Sequence, residues 1–188
     1  MAHDPGGTVR LRLQSDMHAA AEFSPCGRYR HTLWRTWTPL REEAPFVMWC
    51  GMNPSTADCA CDDPTVRREI GFTRGFGLES MCKVNVMDYR ATSPRDLLRP
   101  IEPWPGFRPR SPHNLPAISR NARAAEQVVV AFGTLPKPLR RYAEEAVEML
   151  LGQDIVLWCL GTTADGSPRH PLYVRSDAPL VRWGGWNA

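Results

Sequence analysis

Four short apolar runs limit what this chain can fold into: residues 46–50, 81–87, 127–132 and 154–160. Each has the length of a strand, and each is too apolar for a strand with one solvated face. Helical patterns separate them. Asp63-Pro64 offers an N-cap and a first-turn proline to a helix over 65–77. Residues 93–96 start a brief helix capped by Ser93, and 114–126 is helical with Ile118, Ala122 and Ala125 on one face. Within 136–151, Leu139, Ala143, Ala146, Val147 and Leu150 recur at helical spacing. Buried strands alternating with helices predict an α/β fold. The expectation is a three-layer α/β/α sandwich around a central, mostly parallel four-stranded sheet.

Upstream, Pro25-Cys26-Gly27 forms a turn, and the alternation of Tyr29, His31 and Leu33 with Arg28, Arg30 and Thr32 predicts an N-terminal β-hairpin with one wet face. Residues 1–20 read as a loosely held arm or a short strand at 8–13, and 21–188 as a single domain. The proline-rich stretch 100–112 carries Trp104, Phe107, Arg108 and Arg110 and reads as an irregular surface loop, suited either to nucleic-acid contact or to wrapping the core. The 183–186 segment, with Trp183 and Trp186, is expected to pack back as an edge.

Composition narrows the class. No run approaches the roughly 18 apolar residues of a membrane helix, and the N-terminus lacks a basic-then-apolar signal, so a cytoplasmic monomer is expected. Net charge is +3, and Lys83 and Lys137 are the only lysines among 23 basic residues. Arginine suits bidentate phosphate contact, which favours a DNA partner, although an arginine-preferring genome gives the same count. Of six cysteines, Cys26, Cys50, Cys82 and Cys159 read as buried apolar residues. Cys59-Ala60-Cys61 has no second pair at metal-site spacing, so no metal or other cofactor is assigned and free thiols are expected.

Right-handed crossovers bring the strand ends, 51–58, 85–92, 133–138 and 161–172, to one edge of the sheet, where a site is to be sought. These segments fall into the order of the uracil-DNA glycosylase superfamily. Gly51-Met52-Asn53-Pro54 resembles the first motif of its mismatch-specific and single-strand-selective branches, with Ser55 where those branches have glycine. Val84-Asn85-Val86, followed by Tyr89-Arg90, resembles the strand whose asparagine reads the flipped base. Residues 128–133 are similar to the third strand ending in glycine. Ser167-Pro168-Arg169-His170-Pro171 resembles the last motif, although Leu172-Tyr173 follows in place of Ser-Pro. The whole chain also resembles a narrower family of small bacterial and phage proteins of unassigned function, through residues 24–30, 53–58 and 169–173.

The resemblance implies a monofunctional DNA glycosylase that flips out and excises a modified pyrimidine, with antiphage defence as one setting. Such an enzyme must position a water beneath C1′ and stabilise charge on the departing base. Asn53 would hold the water, and Asp58, Asp62 or Asp63 would act as base or balance the sugar cation, Asp58 being the first choice. His170 would donate to the leaving base. Asn85, Met52, Ser55 and Phe72 would contact the base, with Trp49 and Phe76 as other stacking candidates, and Arg90, Arg108, Arg110, Arg169 and Tyr173 would contact DNA. No lysine lies at a candidate motif, which argues against a Schiff-base lyase. Turn and cap chemistry alone explains many of these residues: Asp62 and Asp63 suit a helix cap, and Asn85 and His170 suit backbone pairing and a surface loop. Two other classes compete, a non-catalytic nucleotide or modified-base binder and a hydrolase built on the Asp58, Asp62 and Asp63 carboxylates.

Overall fold

A computed structural model describes residues 9–38, 44–99 and 105–186. Residues 1–8 of the expected arm, 39–43, and 100–104 of the proline-rich stretch, including Trp104, lie outside the described residues. The strands are β1 (Leu11–Arg12), β2 (His18–Phe23), β3 (Arg30–Thr36), β4 (Val47–Gly51), β5 (Cys61–Asp62), β6 (Ser80–Asn85), β7 (Gln127–Val130), β8 (Leu157–Cys159) and β9 (Val181–Arg182). The helices are α1 (Pro64–Gly75), α2 (Pro94–Leu98), α3 (Asn114–Ala124) and α4 (Lys137–Leu151). None is long and apolar enough to cross a membrane.

The expected architecture, a central four-stranded parallel sheet inside a three-layer sandwich with a separate hairpin, is overturned. Seven strands form one mixed sheet in the order β2-β3-β6-β4-β7-β8-β9, and β1 pairs with β5 in a second, two-stranded antiparallel sheet. Pairing is parallel for β4 with β6, β4 with β7 and β7 with β8; the two flanks are antiparallel. The hairpin joins the sheet through β3, from Leu33 opposite Lys83 to Thr36 opposite Ser80.

Polar composition disguised β3 as a half-wet strand. Arg30, His31, Thr32 and Arg35 are all buried, and most of their polar atoms find partners, which removes most of the cost of burial. Arg35 Nε donates to Asp62 at 2.8 Å, and its Nη2 donates to the carbonyls of Asp58 and Cys61. The register slips between Glu22 opposite Thr32 and Phe23 opposite Arg30, leaving His31 as an extra residue on β3. Such a bulge re-aims the side chains beyond it. His31 accordingly meets Asp88 at 2.9 Å, and Arg30 reaches the Ala57 carbonyl at 2.7 Å.

The sheet's pleat sorts the core into two clusters. Met48, Cys50, Cys82, Val84, Val128 and Val130 pack with Ile118 and Ala122 of α3 and with Leu139, Ala143 and Leu150 of α4. Val47, Trp49, Met81 and Val129 face the other way, toward Val66, Ile70 and Phe72 of α1. Asp63 caps α1 by accepting from the Val66 amide at 2.8 Å, with Pro64 at the first helical position. Lys83 and Asn85 share the parity of Met81, so they belong to the α1 side.

Candidate functional site

The carboxyl ends of the parallel strands are stitched together by backbone hydrogen bonds. Val86 and Met87 donate to the carbonyls of Gly51 and Met52, Ala91 to Pro54 and Ala131 to Cys50. Gly133 donates to Pro168 and Arg169 to Gly161, which brings the 161–170 segment onto the same edge. Asn85 is the last residue of β6 and pairs in register with Gly51, the last of β4.

Asn85 is 0% exposed, yet neither its side-chain nitrogen nor its oxygen has a hydrogen-bond partner. A buried amide left unpaired in both capacities is costly and is normally avoided. The amide fits against bare backbone: a Cβ on Gly51 would lie 2.9 Å from Asn85 Oδ1 and 3.3 Å from Lys83 Nζ. Lys83 is ion-paired with Glu69 of α1, both buried. Glu69 Oε2 has no partner, and burial pushes its carboxyl up against the opposing pull of Lys83. On the β3 side, Arg30 uses Nη1 on Ala57 while Nε and Nη2 stay unpaired. Burial pushes the Arg30 guanidinium down to about 10, opposed chiefly by Asp63.

His170 closes the cluster from the 161–170 segment. Its Cβ would lie 3.3 Å from a Cβ on Gly133, where φ is +70° and glycine is favoured. Its Nδ1 accepts from the Leu172 amide at 3.4 Å. Burial, then Lys83, pushes the imidazole down from 6.5 to about 4, with Asp63 pulling the other way. The native state therefore binds fewer protons than the unfolded chain between these values. The stabilisation from a neutral His170 is full above pH 6.5 and is lost as pH falls toward 4. Thermal unfolding at pH 7 and pH 4.5 should show a smaller acid loss for His170→Gln than for wild type. An equal loss in both would contradict the half-buried, neutral histidine.

Asn85 and His170 are thus brought to one cluster, through Lys83. The other expected site residues lie elsewhere or are already engaged. Asn53 donates from Nδ2 to the Ala91 carbonyl at 2.7 Å and to Pro54 at 3.0 Å, so its amide oxygen, unpaired among the described residues, turns away from both. Asp58 Oδ1 accepts from the Ala60 and Cys61 amides, and Oδ2 pairs with Arg10 at 3.0 Å. Those bonds outweigh partial burial and hold the Asp58 carboxyl below its usual range. Met52 packs against the α3–α4 core. Phe72 is 3% exposed, with its ring 6.1 Å from Trp49 and 6.2 Å from Phe76, under the Arg68 guanidinium. Ser55 and Arg90 line a cleft of about 300 Å³ with Arg10, Thr56, Tyr89 and Ala91. Arg90 also lies over the Phe23 ring.

Arg108 and Arg110 line a separate hollow of about 690 Å³ against α4, where Arg110 pairs with Glu145 and donates to the Tyr142 carbonyl. Arg169 donates to the Thr162 carbonyl at 2.9 Å, and Tyr173 is 64% exposed with its ring 5.7 Å from His170. Asp58, Asp62 and Asp63 make separate attachments, and among the described residues no three acidic, His or Cys side chains gather to hold a metal ion. All six cysteines are free.

Three members of the cluster escaped the sequence reading: Arg30, Glu69 and Lys83. The statement that no lysine lies at a candidate motif is corrected, since Lys83 stands two residues before Asn85 on the same face of β6. The signals were present. Lys83 is a charge inside an apolar run, and Glu69 falls on the helix face of Val66, Ile70 and Thr73, all buried. A charge on an apolar face needs a partner, and here the two faces meet.

A family model described as a protein of unknown function, DUF1643, matches residues 30–172. No curated protein matches the chain, and no solved structure does.

Proposed function

The chain belongs to the DUF1643 family, and on that premise we propose that it is a monofunctional DNA glycosylase taking a modified pyrimidine into the strand-end cluster. The observation that carries this reading is Asn85: fully buried, at the end of a parallel strand, with donor and acceptor both unpaired. One side-chain amide presents the pattern needed to pair with a pyrimidine edge that offers an acceptor beside a donor. The bare Gly51 backbone beneath it lets the amide itself sit close to the strand end, where a Cβ would lie 2.9 Å from Oδ1. Asn53 is bonded to Ala91, which lines the 300 Å³ cleft, and Arg10 and Arg90 in that cleft suit a flanking phosphate.

Asn85 is buried in the structure, so a base enters only on local opening, for which the 161–174 segment carrying His170 is the candidate. Arg68 holds that segment down by donating to the carbonyls of Pro171 and Val174.

The test is incubation of the protein with single- and double-stranded DNA carrying uracil, hydroxymethylated or glycosylated pyrimidines. Release of free base with a matching alkali-labile abasic site supports the reading. Binding of every such DNA without base release would instead support a modified-base binder. A hydrolase acting through clustered carboxylates is disfavoured by the separate engagement of Asp58, Asp62 and Asp63.

A further inference from the structure

We propose that Lys83, oriented by Glu69, is the catalytic cation that takes up the negative charge of the departing base. The inference deepens the glycosylase reading and rests on it. The resemblance assigns this work to His170, but the structure gives His170 poor means. Its imidazole is pushed down to about 4 by burial and by Lys83 itself, so it is neutral near pH 7. Its Nδ1 accepts from Leu172, which leaves Nε2–H a neutral donor that brings no positive charge to a departing anion. Lys83 Nζ, in contrast, lies beside the Asn85 amide over Gly51, 3.3 Å and 2.9 Å respectively from the same Cβ position. A base edge paired with Asn85 would lie against the ammonium.

The surroundings fit a charge held ready for a transition state. Glu69 fixes Lys83 from α1 with one carboxylate oxygen and keeps the other unpaired. Arg30 from β3 and Asp63 ahead of α1 complete the charged groups facing the pair. The site is buried, so an oriented ammonium acts there with little solvent screening. In the step, a water oxygen bonds to C1′ and the C1′–N bond breaks. Its electron pair leaves on the base, whose negative charge falls on Lys83. The water's surplus proton passes to solvent, from which the base recovers one.

The experiment compares release of uracil and of 5-fluorouracil, a more acidic leaving group, from otherwise identical oligonucleotides. Lys83→Met should lose about a hundred- to a thousandfold on uracil and at least tenfold less on 5-fluorouracil. Lys83→Arg, which keeps a cation, should retain more uracil release than Lys83→Met. The double variant Lys83→Met/Glu69→Gln, which removes both charges of the buried pair together, should show the same leaving-group bias if the single variant fails to fold. An active wild type whose variants lose equally on both bases would assign Lys83 a structural role and overturn this inference alone. Borohydride trapping of a Lys83–DNA adduct would also overturn it, by making Lys83 a nucleophile. A wild type that releases no base from any DNA would remove the glycosylase reading and this inference with it.

Discussion

Asn85→Leu is expected to make the protein more stable by about 1–3 kcal/mol while abolishing base release. Most substitutions in a buried strand end destabilise, because they open a cavity or strand a polar partner. Here the polar partner does not exist: both atoms of the amide are buried and unpaired, and the Asn85 backbone carbonyl accepts from Asn114 Nδ2 at 2.9 Å. Leucine keeps the same branched four-atom outline, with bulkier methyl ends, and removes the desolvation penalty without disturbing that bond. A gain of this size raises the unfolding temperature by about 2–4 °C per kcal/mol in a chain of this length. Activity should move the opposite way. A site built to hydrogen-bond its substrate discriminates by as much as about 10⁴-fold through those bonds. Calorimetry and base release on the same preparation check both halves. A lower unfolding temperature for Asn85→Leu would mean that the amide serves the fold, and the binding argument would fail.

Asp62→Ala is expected to cost about 3–5 kcal/mol, because it leaves Arg35 buried and uncompensated. Both side chains are 0% exposed, and Asp62 also pairs with Arg67. That cost is a large part of the about 5–15 kcal/mol that separates folded from unfolded states. The pair ties β3 to the segment that leads into α1, so the loss falls on the join between the antiparallel flank and the helix carrying Glu69. Asp62→Asn, which keeps an acceptor but not the charge, should lose less. Urea unfolding with an unchanged slope and a lower midpoint is the expected signature. A loss under about 1 kcal/mol for the alanine variant would show that Arg35 is satisfied by the Trp34, Asp58 and Cys61 carbonyls alone.

The central strands and the α1 cap were legible because they depend on local rules: apolar run length and an Asp-Pro start. The sheet as a whole was not. Its antiparallel flank uses β3, whose arginines, histidine and threonine read as solvent-facing, and burial of those groups depends on Asp62, Asp88 and backbone carbonyls distant in sequence. The bulge at His31 compounded this, since one extra residue inverts which side chains face α1. The same reasoning separates the site residues. Asn85 and His170 were visible as motif residues at strand ends. Lys83, Glu69 and Arg30 were hidden because each looks like a surface charge until the helix and strand that pair them are placed side by side. Asn53 and Asp58 were named for chemistry, while turn and loop chemistry, an equally good explanation in sequence, accounts for the bonds they make.

The most direct measurement is base release by wild type and Asn85→Leu, side by side, from DNA carrying a series of modified pyrimidines, with free base and abasic sites counted together. The account predicts equal amounts of the two products from wild type for at least one base, and none from a variant that melts higher. Release undiminished in Asn85→Leu would contradict it.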